Sequence, residues 1–404
     1  MTDTLGFCPT RLARLDAFLA EKYIATRRLP GTLTLVARHG EVAHLHAQGL
    51  ADVERGVPCR EDTIFRIYSM TKPITSVALM MLVERGLIAL DDPVHKYIPE
   101  WKNLGVFVAG THRQGFQTRA PSRPMQVVDL FRHTAGLTYG FQLRTNVDEA
   151  YRREKIGEIE KAGTLEGMIQ ALAKLPLEFS PGEAWNYSVA TDVLGWLVQV
   201  VSGRPFEQFL AEEIFAPLGM ADTGFHVRDG QQHRFAACYQ PDKTGTITLQ
   251  DDPTTSSFLH PPSFISGGGG LVSTAHDYLQ FARMLANGGT LNGTRLLSRK
   301  TLQLMTANHL PGGVDLPALS RSLFSEAAYE GVGFGLGFAT TTAAHKTLIP
   351  GSTGDYFWGG AASTFFWVDP EEDLIGLFLT QLIPSSTWPV RREMRTMVYA
   401  ALDD

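Results

Sequence analysis

The first clear pattern along the chain is helical. Between residues 10 and 27, apolar side chains recur at Leu12, Leu15, Phe18 and Leu19, the three-and-four spacing that gives a helix one apolar face. Two β-like runs follow at 33–37 and 41–47, separated by His39-Gly40, and predict a hairpin. A stronger helical stretch covers 70–85, where Ile74, Val77, Ala78, Met81 and Leu82 share a face. From 86 to about 215 the periodicity is mostly helical, with apolar helices at 191–202 and 206–215, the latter stopped near Pro217 and Gly219. This region is broken at 105–124 by a Gly/Pro/Arg-rich stretch with neither period, which reads as a long loop forming one wall of a site. Beyond 225 the chain alternates again. Runs at 236–239 and 246–249 precede SGGGGLVST at 266–274, and a helix at 275–287 ends on Gly288-Gly289. Runs at 333–339, 362–368 and 374–382, with a turn at Asp369-Pro370, suggest an antiparallel meander before a last helix at 390–402. Strands near both termini with helices between them predict one mixed sheet plus a helical subdomain.

Composition narrows the class. The 404 residues are 44% hydrophobic and 19% charged, enough to bury a large core, and 36 basic against 42 acidic residues give a formal charge of −6. Without a basic stripe, nucleic acid is not expected as a partner. Cys8, Cys59 and Cys238 are far apart and form no CxxC, which fits a reduced compartment and gives no zinc or thiol-redox motif. The N-terminal residues lack a secretory pattern, and no apolar run approaches the roughly 18–20 residues of a membrane span. The expectation is a soluble, cytoplasmic protein.

Three short motifs carry candidate chemistry. Ser69-Met70-Thr71-Lys72 lies at the start of the 70–85 helix, and a spacing of three puts the serine and lysine one turn apart. Serine needs a base to become a nucleophile, and lysine is a base only when neutral. The positive end of a helix disfavours a second positive charge and also aims N–H groups at a developing oxyanion. Asn186-Tyr187-Ser188-Val189 follows the Pro181-Gly182 turn. Tyr187 reads either as a proton shuttle, its phenolate favoured beside an ammonium, or as an aromatic cap on the helical core. Trp358-Gly359-Gly360-Ala361 opens a late strand, where two glycines allow backbone to approach a ligand; a simple strand-entry turn is the alternative.

In this order, SMTK, PGEAWNYSV and WGGA resemble the serine esterases of the class C β-lactamase type, the family VIII carboxylesterases of the penicillin-binding-protein/β-lactamase superfamily. Further matches are FRHTAGLTYG at 131–140, SGGGGLVSTAHDYLQFARMLANGG at 266–289 and GVGFGLGF at 331–338, so the likeness spans roughly residues 25–385. The resemblance implies an α+β, β-lactamase/transpeptidase-like fold: an antiparallel sheet flanked by helices, with a mainly helical subdomain. The expected division is 1–85 with 225–404 for the sheet subdomain and 86–224 for the helical one, the active site lying in the groove between them. It implies Ser69 as acyl-accepting nucleophile, Lys72 as proton acceptor, and Tyr187 sharing that proton and passing it to the leaving alcohol. The N–H groups of Ser69 and Ala361 would form the oxyanion hole, with Trp358, Gly359, Gly360 and Tyr139 binding substrate. No cofactor or metal is implied.

Two departures from the β-lactamase pattern matter. Trp358 stands where the lysine of Lys-Thr-Gly would be, and an indole cannot hold a carboxylate as an ammonium does. Val189 replaces the Asn of Tyr-x-Asn and offers no amide. Both changes favour neutral, short-chain carboxylic esters as small-molecule substrates. A literal Lys243-Thr244-Gly245 comes before the glycine run and reads as a hairpin turn. GxSxG, HExxH, P-loop and GxGxxG motifs are missing. His44 and His46 share a strand face and read as a solvated or hydrogen-bonded pair; His133 reads as a structural residue bonding loop backbone. Alternative functions are an acyltransferase or weak β-lactamase using the same serine, or a non-catalytic binding or scaffold domain.

Overall fold

The computed structural model describes residues 4–158, 162–321 and 329–404. Eight strands form the main sheet: β1 (Gly31–Arg38), β2 (Glu41–Asp52), β3 (Val57–Pro58), β4 (Val332–Phe334), β5 (Ala339–Thr341), β6 (Tyr356–Gly359), β7 (Phe365–Asp369) and β8 (Leu374–Leu379). Their spatial order is β4-β5-β6-β7-β8-β1-β2-β3, with every neighbouring pair antiparallel. The β1–β8 pairing, Leu33 opposite Leu379 through Arg38 opposite Leu374, joins the two ends of the chain in the middle of the sheet.

The strands alternate between two apolar layers, as a period of two requires. Val36 and Trp367 point to one face, where Leu12, Leu15 and Leu19 of helix α1 (Pro9–Leu19) meet Val390, Met394 and Val398 of the C-terminal helix. Leu33, Leu35, Phe366, Val368 and Leu377 point to the other face, into the large apolar core that also holds helix α2 (Thr71–Glu84). Side chains 71–82 of α2 are all buried, and the helix packs most extensively against helix α3 (Ala190–Ser202). Helix α4 (Ala275–Ala286) lies over β7 and β8, and helix α5 (Val390–Tyr399) is the C-terminal helix just described.

Local structure departs from the pattern in three places. Residues 105–124 hold a hairpin, Val106–Thr111 paired with Gly115–Arg119. Most of its side chains are exposed or half-buried, so no apolar/polar alternation marks it. The expected 333–339 strand is two short strands, β4 and β5, with Gly335 and Leu336 turned away to the Met305 segment; the Leu336 N–H donates to the Met305 carbonyl at 2.7 Å. The expected run from 362 begins at Phe365 instead, because Ala361–Ser363 form a turn in which Ser363 adopts a φ of 66°. Lys243-Thr244-Gly245 sits in the turn between Cys238–Pro241 and Ile247–Asp251, as expected. Cys8, Cys59 and Cys238 are free thiols. Among the described residues, no helix is long and apolar enough to cross a membrane.

Candidate active site

A two-residue strand, Phe65–Arg66, pairs with Val272–Ser273, and the Ile67 N–H donates to the Leu271 carbonyl at 3.1 Å. The glycine run before Leu271 is thereby drawn against the segment that carries Ser69. A single 3₁₀ turn, Tyr68–Met70, then leads into α2, with Pro73 in its first turn where a missing N–H costs nothing. Ser69 is half-buried at the junction, and Lys72 is buried one turn on.

Two side chains meet at Ser69 Oγ. Lys72 Nζ lies 3.1 Å from it, and the Tyr187 hydroxyl donates to it at 2.7 Å. Lys72 Nζ also donates to the Gly268 carbonyl at 2.6 Å and to the Tyr139 hydroxyl at 3.2 Å, and lies 4.5 Å from the centre of the Tyr187 ring. In a neutral amine those two donated bonds account for both N–H groups and leave the lone pair for Ser69. Burial pushes the Lys72 pKa from 10.5 down to about 7, against the opposing pull of the Asp192 carboxylate. Loss of water around the amine is thus the leading cause, ahead of the helix-end field emphasised by the sequence. Burial moves Tyr187 the other way, raising its pKa despite the Ser69 hydrogen bond. The phenolate expected beside an ammonium is therefore disfavoured, and Tyr187 is a neutral donor.

Tyr187 precedes α3 and is held from several sides. Its carbonyl accepts from Gln142 Nε2 at 2.5 Å, and its ring stands 4.9 Å from His133, 5.3 Å from Tyr139 and 5.5 Å from Trp358. Asn186 Oδ1 accepts from Arg144 at 2.7 Å, and Asn186 Nδ2 donates to the Leu137 carbonyl at 3.0 Å. The His133 ring faces the Ser188 hydroxyl at 3.2 Å, not the loop backbone expected from sequence.

The third motif lies opposite. Trp358 and Gly359 end β6, and Gly360 enters the turn that presents Ala361. A Cβ on Gly360 would lie 2.4 Å from the Ile67 carbonyl oxygen, so only glycine lets this turn close on the Ser69 segment. Arg391 of α5 braces the turn by donating to the Gly360 carbonyl at 2.6 Å and the Thr364 carbonyl at 2.9 Å. Among the described residues, the Ser69 and Ala361 N–H groups make no backbone hydrogen bond. Ser69, Tyr139, Tyr187, Trp358, Gly359, Gly360 and Ala361 all line one cavity of about 720 Å³. Its walls are mostly apolar and include Phe141, Ile156, Phe357 and Ile383. The 105–124 segment contributes nothing to this cavity. In the segment 311–330, of which 322–328 lie outside the described residues, Tyr329 lines the cavity.

Sequence reasoning missed three contributors. The Gly268 carbonyl and Arg391 are two. The third is Asp192, whose carboxylate accepts from Ser266 Oγ at 2.6 Å and the Gly268 N–H at 3.0 Å, fixing the loop that meets Lys72. A single acid in the apolar run of α3 was the available signal. His44 and His46 lie away from this cavity, their Nε2 and Nδ1 atoms 3.0 and 3.1 Å from the same Asp16 Oδ1. Among the described residues, no group of three or more His, Cys, Asp or Glu is arranged to hold a metal ion.

The Beta-lactamase family matches residues 17–394. The chain belongs to that family. Protein Rv1367c of Mycobacterium tuberculosis (strain ATCC 25618 / H37Rv) is 37% identical over 88% of this chain and 86% of its own. Esterase EstB of Burkholderia gladioli is 32% identical over 96% of this chain and 95% of its own. Among solved structures, EstCE1, described as a hydrolase with promiscuous acyltransferase activity, superposes with a TM-score of 0.80 at 28% identity, covering 96% of this chain and 99% of that one. These likenesses agree with the family VIII resemblance and with a β-lactamase-like serine hydrolase fold.

Proposed function

We propose that this β-lactamase family member hydrolyses carboxylic esters through an acyl-enzyme on Ser69. The observation that carries the reading is the pair of contacts at Ser69 Oγ: Lys72 Nζ at 3.1 Å, with its pKa lowered to about 7, and the Tyr187 hydroxyl at 2.7 Å. Neutral Lys72 takes the Ser69 proton as Oγ attacks the ester carbonyl. The N–H groups of Ser69 and Ala361 hold the oxyanion, an interaction whose loss typically costs about 10²–10³ in rate. On collapse the leaving alkoxide takes a proton from Tyr187, which recovers one from the Lys72 ammonium. Water then attacks the acyl-enzyme, Lys72 accepts its proton, and Ser69 leaves as a hydroxyl through the same groups.

The cavity supports the division into a sheet subdomain (1–85 with 225–404) and a helical one (86–224), since its lining comes from both. Its size fits a short acyl chain beside a larger alcohol. Trp358 in place of a lysine favours neutral esters. Mixing enzyme with a p-nitrophenyl ester should release a burst of one p-nitrophenol per chain and leave the acyl mass on the Ser69 peptide. Full turnover by Ser69→Ala would overturn the reading.

Acyl transfer to an alcohol is the second reading, supported by the apolar lining and by the acyltransferase activity ascribed to EstCE1. Product analysis with an added alcohol separates the two, since transfer yields a new ester and hydrolysis only the acid.

A further inference from the structure

One polar side chain in the cavity wall has no part in the chemistry above. Gln250 lies in the strand Ile247–Asp251, which pairs with Cys238–Pro241. Cys238 stands opposite Asp251 and Tyr239 opposite Leu249, so Gln250 is the extra residue of a β-bulge. Bulges of this kind re-aim a side chain and recur beside active sites. Here Gln250 lines the same cavity as Ser69, Tyr68 and Ala361.

The bulge is firmly held. Asp251 accepts from Arg66 Nε and from Ser256 Oγ, each at 2.7 Å, and Arg66 is fully buried three residues before Ser69. On its other side Tyr239 receives the Ile383 N–H at 2.8 Å, which brings Ile383, a further lining residue, alongside. Gln250 therefore stands on the same scaffold as the nucleophile.

The amide itself is incompletely paired. Gln250 Oε1 is shielded from solvent and accepts no hydrogen bond among the described residues. A buried acceptor without a donor is unfavourable, and a ligand that supplies the donor recovers that loss. Rotation about the last side-chain torsion is broad, so the amide can turn its oxygen to a group in the cavity. A site with such an acceptor discriminates against substrates that leave it unpaired.

We propose that Gln250 is a specificity-determining residue that accepts a hydrogen bond from an N–H or O–H group of the substrate. The preferred substrates are then esters carrying such a donor away from the reacting carbonyl. This rests on the esterase reading of the same cavity.

The test uses matched esters in two series. One places the donor in the acyl part: p-nitrophenyl ω-hydroxyalkanoates of graded length, each beside its methyl ether. The other places it in the alcohol part: monoacetates of dihydroxynaphthalenes, each beside its methyl ether. In the native protein at least one hydroxyl ester should exceed its ether in kcat/KM by about tenfold. That ratio should fall to about one in Gln250→Met and persist in Gln250→Glu, which keeps an acceptor. Equal ratios in native protein and Gln250→Met across both series would overturn the proposal. If circular dichroism shows that the Met variant does not fold, Gln250→Ala takes its place: a ratio near one supports the proposal and the native ratio overturns it. Absence of turnover of every ester, with no acyl label on Ser69, would instead remove the esterase reading and this inference with it.

Discussion

Lys72 Nζ lies closer to the Gly268 carbonyl, at 2.6 Å, than to Ser69 Oγ, at 3.1 Å. The amine is thus held by main chain from a remote loop, and its proton affinity is set mainly by the burial this creates. As a base it works only when neutral, and the neutral fraction grows as pH rises through about 7. We expect kcat/KM for a neutral ester to rise with pH, with a half-maximal point near 7. Lys72→Arg keeps the charge and the donors but cannot lose its proton, so its rate should fall by about 10²–10⁴. A native pH profile flat from 5 to 9, measured by stopped assay, would count against this base.

Tyr187 stays neutral because burial raises its pKa. Tyr187→Phe removes the hydroxyl 2.7 Å from Ser69 Oγ but keeps the ring packed against His133 and Trp358. We expect kcat to fall by about 10²–10⁴ with KM little changed and the acid limb still near pH 7. Movement of that limb in the variant would show that the phenol, and not the lysine, titrates.

Gly360→Ala would set a methyl group 2.4 Å from the Ile67 oxygen and 2.2 Å from Thr364 Oγ1. Ile67 is fixed main chain two residues before Ser69, so the Ala361 turn must shift. The expected result is a loss of about 10²–10³ in kcat, the size of one oxyanion donor. Ser69 should still be labelled by a serine-reactive phosphonate; complete loss of labelling would mean that the turn does more than hold the oxyanion.

Arg144 joins Asn186, the neighbour of Tyr187, to a buried acidic group by donating to Asn186 Oδ1 at 2.7 Å and facing Glu178 at 3.6 Å. Arg144→Leu should lower kcat about tenfold through a displaced Tyr187, with KM little changed. Arg144→Lys should recover part of that loss. Equal activity in all three proteins would show that the Gln142 contact alone suffices.

Burial, reinforced by the Asp148 carboxylate, lifts the Glu178 pKa from 4.5 to about 7. Between those values the folded chain holds a proton that the unfolded chain releases, so stability from this group falls as pH rises across the window. Glu178→Gln removes that dependence. Its Tm should gain on the native protein between pH 4 and pH 8, read by thermal melts; a constant difference would show that Glu178 is charged throughout.

Several features of the fold and site were legible in sequence for physical reasons. Helices such as 9–19 bury one apolar face and write it at a spacing of three and four, whereas 71–84 is legible as a nearly continuous apolar run because it is buried all round. The edges of sites were also legible, because SMTK, NYS and WGG each need particular side chains or glycines at fixed offsets. The 106–119 hairpin was not, because its strands stay largely exposed and bear no alternation. The bulge at Gln250 escaped for a related reason: an extra residue is visible only against the partner strand.

By itself the sequence determined which groups are available: a serine and a lysine one helical turn apart, a tyrosine before a helix, and glycines that let backbone approach. Tertiary structure decided their protonation and aim. The Gly268 carbonyl reaches Lys72 across 196 residues of chain, and Tyr187 reaches Ser69 across 118. An amine's pKa depends on the water and charge around it, and that surrounding belongs to the packed fold rather than to any local run of residues.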